Sequence, residues 1–203
     1  AERNVISANT YQGIYIGDAG TTQNVVAGNF IGTDATGTAR LGNSNGGIWV
    51  DNGASSNRVG VLVGDPGAVN EGNVLAANAY SGIAVGGDGS GTSGNTIKGN
   101  FIGTDKTGAI NLGNGESGVS FYTGAPSNTV GGPGLSANVI AFNGHNGVTV
   151  AANSDVHETV RFNRIYANAR IGIDLGYDGV TLNGSHGTVG PNGWQKFPSL
   201  TAA

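Results

Sequence analysis

The chain has 203 residues, 39 of them glycine, with charged residues at 11% and a formal net charge of −4. Glycine far above its usual ~7% and charge far below its usual ~25% call for frequent turns and little solvating surface, while a hydrophobic share of 37% is too high for disorder. The absence of cysteine excludes disulfides and thiolate sites, the lack of clustered Lys and Arg argues against a nucleic-acid partner, and no apolar run approaches the ~18 residues of a membrane span, so no membrane insertion is expected.

From the N-terminus, the first apolar block is Asn4-Val-Ile-Ser-Ala-Asn9, and Gly13-Ile-Tyr-Ile16 follows it. Apolar residues alternate in the second block with period two, the mark of a half-buried strand. The pair recurs along the chain. Asn24-Val-Val-Ala-Gly-Asn29 leads to Gly47-Ile-Trp-Val50, Asn73-Val-Leu-Ala-Ala-Asn78 to Gly82-Ile-Ala-Val85, and Asn95-Thr-Ile-Lys-Gly-Asn100 to Gly118-Val-Ser-Phe121. Asn138-Val-Ile-Ala-Phe-Asn143 leads to Gly147-Val-Thr-Val150, and Asn163-Arg-Ile-Tyr-Ala-Asn168 to Gly172-Ile-Asp-Leu175. In four copies the Gly follows the second Asn by four residues, as from Asn9 to Gly13; in two it follows by eighteen, as from Asn29 to Gly47. The difference reads as a 14-residue insertion, and the inserted segments are alike: Phe30-Ile-Gly-Thr-Asp34 and Phe101-Ile-Gly-Thr-Asp105, so that the larger unit recurs after 71 residues.

One such coil cannot bury its own apolar side, but stacked coils bury a shared column. The pattern therefore predicts an all-β fold, a right-handed parallel β-helix of about six coils, with an axis of roughly 29 Å at the ~4.8 Å strand spacing. One inward column is expected at Ile6, Val26, Leu75, Ile97, Ile140 and Ile165, and another at Ile14, Ile48, Ile83, Val119, Val148 and Ile173. Asn9, Asn29, Asn78, Asn100, Asn143 and Asn168 are expected at a corner, where Asn accepts left-handed backbone, forming one internal ladder. Residues 1–178 make up the helix in this reading, and 179–203, with Pro191, Trp194, Phe197 and Pro198, an irregular cap, linker or docking tail.

The two blocks resemble the parallel β-helix repeat of the pectate-lyase-like superfamily over residues 3–178. More narrowly, Gly28-Asn-Phe-Ile-Gly-Thr-Asp34, its near-copy at 99–105 and Ile171-Gly-Ile-Asp-Leu-Gly-Tyr-Asp-Gly-Val180 resemble repeats of large bacterial surface proteins, which implies a secreted or cell-surface location. For enzymes of that fold the resemblance implies cleavage of acidic polysaccharide, by Ca²⁺-assisted lyase chemistry with a basic residue or by paired carboxylates. The hydrolase motifs are missing; His186 precedes a Gly without a partner motif. Charge gathers in the last coil at Asp155, His157, Glu158, Arg161, Arg164 and Arg170, near Asp174 and Asp178, which makes Arg161, Arg164 and Asp174 the catalytic candidates. A solvated flank of a terminal coil accounts for the same cluster. Asp34 and Asp105, in equivalent insertions, either coordinate Ca²⁺ or accept backbone hydrogen bonds in a turn; no other cofactor is expected.

The x position of Gly-Ile-x-apolar is expected to point outward, placing Tyr15, Trp49, Ala84, Ser120, Thr149 and Asp174 in one exposed column. Tyr15 and Trp49 would be neighbours suited to stacking on a sugar ring, unless an inserted loop covers them. The first coil begins only three residues in and the chain opens on Ala1, which reads as a mature or excised piece. An uncapped coil end is a template for another strand, so further chain or a second copy is expected to stack on it. Two function classes follow: a non-catalytic structural or adhesive module that self-associates or binds polysaccharide, and a polysaccharide lyase or hydrolase.

Overall fold

The structure, a computed structural model, describes residues 3–62, 64, 70–87, 91–151 and 157–180. These residues form a parallel β-helix with three walls. Wall one stacks β1 (Val5–Ile6), β4 (Phe30–Ile31), β7 (Val74–Leu75), β10 (Phe101–Ile102), β13 (Val139–Ala141) and β16 (Arg164–Tyr166). Wall two stacks β2 (Ile14–Ile16), β5 (Ile48–Val50), β8 (Ile83–Val85), β11 (Val119–Phe121), β14 (Val148–Ala151) and β17 (Ile173–Gly176). Wall three stacks β3 (Val25–Val26), β6 (Arg58–Gly60), β9 (Thr96–Lys98), β12 (Thr129–Val130) and β15 (Thr159–Val160). Each full coil runs wall three, wall one, wall two, and every pairing between these strands is parallel. The strands are only two to four residues long because each must end at a corner.

Wall three corrects the expected columns. Val26 and Ile97 do not belong with Ile6, because they pair through Val59 on wall three, in a column continued by Val130 and Val160. Their places on wall one are taken by Ile31 and Ile102, which stack between Ile6, Leu75 and Ile140. The 14-residue insertions therefore begin with strands of the helix itself, β4 and β10. Phe30 and Phe101 flank Val74 on either side, so the 71-residue recurrence is a two-coil repeat. The physical reason for the misreading is that walls one and three open with the same Asn-x-apolar pattern, so sequence alone aligns one with the other. The second expected column, Ile14 to Ile173, pairs in order along wall two.

The corners carry three asparagine ladders rather than one. Asn9, Asn43, Asn78, Asn114, Asn143 and Asn168 form the first, each Nδ2 donating to the next Oδ1 at 2.8–3.0 Å. Asn4, Asn29, Asn73, Asn100, Asn138 and Asn163 form the second at 2.8–3.1 Å. Asn24, Asn57, Asn95 and Asn128 form the third, whose last backbone N–H donates to Glu158 Oε2 at 3.0 Å. Where the backbone turns left-handed at these corners it does so not at the asparagine but one residue earlier, as at Ala8 (φ 57°), Ala77 (φ 61°), Phe142 (φ 63°) and Ala167 (φ 51°). At those corners a single left-handed residue makes the sharp bend, and the carboxamide that follows satisfies the backbone groups the bend leaves unpaired.

The remainder of each insertion folds back as a small hairpin, with antiparallel bridges Thr33 to Arg40 and Thr104 to Asn111. These hairpins flank a second apolar cluster outside wall one, where Phe30, Val74, Ala76 and Leu112 pack with Phe101. The insertions thus serve wall one, not the Tyr15–Trp49 pair on wall two. The principal core lies inside the coils and runs from Ile16 to Val150.

Candidate functional site on the second wall

Wall two presents the outward column expected from the x positions, but only its first two members are accessible. Tyr15 and Trp49 are register partners in adjacent coils. Tyr15 is 49% exposed and its Oη accepts from Asn52 Nδ2 at 3.0 Å; Trp49 is half-buried, with Nε1 donating to the Gly86 carbonyl at 3.5 Å. Ala84, Ser120, Thr149 and Asp174 follow in register but are buried, which corrects the expectation of a uniformly exposed column.

That buried stretch is polar and hydrogen-bonded. Ser81 Oγ meets Ser120 Oγ at 2.9 Å and Ser117 Oγ meets Thr149 Oγ1 at 2.9 Å. Asn146 Nδ2 donates to Thr149 Oγ1 and to Asp174 Oδ2, both at 3.0 Å, and the Gly179 N–H reaches the same Asp174 oxygen at 3.3 Å. Asp174 Oδ1 is buried without a hydrogen-bond partner.

Alongside lies a cluster that the sequence reading missed. His145 Nδ1 is 2.9 Å from Glu116 Oε2 and 2.7 Å from Tyr177 Oη, and Tyr177 Oη is 3.2 Å from Glu116 Oε2. Glu116 and His145 occupy equivalent corner positions, two residues after the ladder residues Asn114 and Asn143, and enter wall two; Tyr177 leaves it just after β17. Since the core fills the inside, the three side chains meet across the outer side of the wall. The rings of His145 and Tyr177 stack at 6.0 Å between centroids. Burial, then the negative charge of Glu116 and the hydrogen bond to it, hold the Tyr177 phenol above its ordinary pKa, against the opposing charge of Arg170. The residues are 29 to 61 positions apart, so no local motif announces them. The available signal was the shared offset of Glu116 and His145 from the ladder asparagines.

The catalytic candidates do not assemble. Arg164 is exposed on wall one, with its guanidinium carbon 5.9 Å from the Tyr166 ring centroid. Arg161 follows wall three and lies 5.9 Å from the Phe162 ring, while Asp174 sits on wall two. Asp155 and His186 lie outside the described residues, as does the whole tail from 181 onward.

Asp34 and Asp105 each organise their own hairpin. Asp34 Oδ1 accepts from Thr36 Oγ1 at 2.8 Å and from the N–H groups of Thr38 and Ala39 at 3.2 and 3.1 Å. Asp105 Oδ1 repeats the pattern with Thr107 Oγ1, Ala109 and Ile110 at 2.9, 3.1 and 3.0 Å. The Thr36 hydroxyl and the Ala39 N–H hold Asp34 below its ordinary pKa. For Asp105 burial pushes upward, but the donors from Ile110, Thr107 and Ala109 outweigh it and the net shift is downward. The backbone hydrogen bonds expected of the turn alternative are thus present in both hairpins.

No family model, curated protein or solved structure matches this chain. Among the described residues no helix is long and apolar enough to cross a membrane.

Proposed function

We propose that this chain is a non-catalytic structural and adhesive module of a secreted or cell-surface protein, related to the pectate-lyase-like β-helices, and that it binds polysaccharide on wall two. The observation that carries this reading is the register pairing of Tyr15 with Trp49 on the outward side of a rigid wall. Two aromatic faces one strand spacing apart offer stacking area to successive sugar rings, and Asn52 beside them offers an amide to ring hydroxyls. A rigid scaffold lowers the ordering cost of binding.

Affinity electrophoresis through gels containing neutral or acidic polysaccharides tests it. Retardation is expected with at least one polymer, and Trp49→Ala or Tyr15→Ala should weaken it about tenfold, ~1.4 kcal/mol. Unchanged retardation in both variants would remove wall two from the proposal. Release of unsaturated or reducing ends in the same incubations would favour the lyase or hydrolase reading instead.

A further inference from the structure

We propose that Glu116, His145 and Tyr177 form a binding site for a divalent transition-metal cation, with Zn²⁺ the best match. Three ligand atoms, one imidazole nitrogen and two oxygens, meet in a triangle with edges of 2.7, 2.9 and 3.2 Å. They bring too few protons to bridge it. The carboxylate contributes acceptors only, His145 Nδ1 carries at most one hydrogen and Tyr177 Oη one, so three close approaches share at most two protons. One hydrogen must then be shared between two acceptors, and a cation at the centre would replace that shared contact. The point equidistant from the three atoms lies about 1.7 Å from each, so an ion bound at ~2.0–2.1 Å would sit just out of their plane with almost no movement of the side chains. The open side would be left to water or to a ligand.

Mixed imidazole and oxygen donors favour Zn²⁺ over Ca²⁺ or Mg²⁺, which prefer all-oxygen shells. Among the described residues no three His, Asp or Glu side chains converge, so the phenol is needed to complete this set. Glu116 and His145 are the anchors. Tyr177 becomes the ligand that reports occupancy, because a bound cation favours the phenolate over the phenol. The three residues enter from the coils of β11, β14 and β17, so an ion here would clamp the last three coils together.

Zinc titration of the whole chain by calorimetry, followed in parallel by tyrosine difference absorbance, tests this. The wild type should take up one equivalent, with phenolate absorbance growing at a pH where free tyrosine is protonated. Glu116→Gln and His145→Ala should each weaken uptake at least tenfold, and Tyr177→Phe should abolish the absorbance change while retaining weaker uptake. Circular dichroism checks that each variant stays folded; the isosteric Glu116→Gln substitution keeps the test open should His145→Ala fail to fold. No saturable uptake by the wild type, or equal uptake by folded His145→Ala or Glu116→Gln protein, overturns the site; the latter result would assign binding to another surface histidine such as His157.

Discussion

At the scale of the residue, the asparagines carry the fold. Asn78 is 1% exposed and its carboxamide makes four hydrogen bonds to three neighbours: its Nδ2 donates to Asn114 Oδ1 and the Ile31 carbonyl, and its Oδ1 accepts from the Asn43 side chain and backbone. Removing the carboxamide strands buried donors and acceptors on both adjacent coils, each costing about 1–3 kcal/mol. Asn78→Ala is expected to lower unfolding free energy in urea by about 3 kcal/mol. Asn9→Ala, at the exposed start of the same ladder, should cost about 1 kcal/mol or less; equal losses would show that ladder position does not matter. That asparagine forms ladders was legible from its regular spacing. Which asparagines join was not, because Asn43, Asn57, Asn114 and Asn128 stand outside the six blocks that the repeat search aligned.

At the scale of the element, the two hairpins show how a carboxylate closes an insertion over apolar surface. Asp105 is buried within its turn and accepts from a hydroxyl and two backbone N–H groups. Because its folded pKa is lowered, its contribution is present above the ordinary value of 3.8 and is lost as pH falls through the lower folded value. Asp105→Asn, which keeps one acceptor but no charge, should destabilise the protein by about 1 kcal/mol at pH 7. The gap between wild type and variant should narrow by pH 3, read by urea unfolding at the two pH values; a constant gap would mean that the charge plays no part. The likeness of the two insertions was visible in sequence, but not that each starts with a wall-one strand. Gly103 at φ 83° permits the transition, since a Cβ there would collide with the Ala141 carbonyl and Asn143 Oδ1 of the next coil.

At the scale of the whole molecule, the ladders have a direction. Each Nδ2 donates toward the C-terminal coil, so Asn4, Asn9 and Asn24 start the ladders, while Asn163 and Asn168 end two of them on backbone carbonyls. A second copy stacked head to tail would extend those two in the same sense, whereas Glu158, an acceptor where the third ladder needs a donor, opposes extension at that corner. Head-to-tail association is therefore proposed to use the corners of the first two ladders. Sedimentation velocity at high concentration should show species larger than the monomer, and monomer alone would exclude it. The sequence by itself determined the solenoid, the wall-two column and the polar corners, because a repeating apolar pattern can be buried only by stacking like on like. The tertiary structure alone decided the number of walls, the partners within each ladder and the meeting of Glu116, His145 and Tyr177. Coils of unequal length hide register, and residues far apart in sequence become neighbours only once the chain has wound.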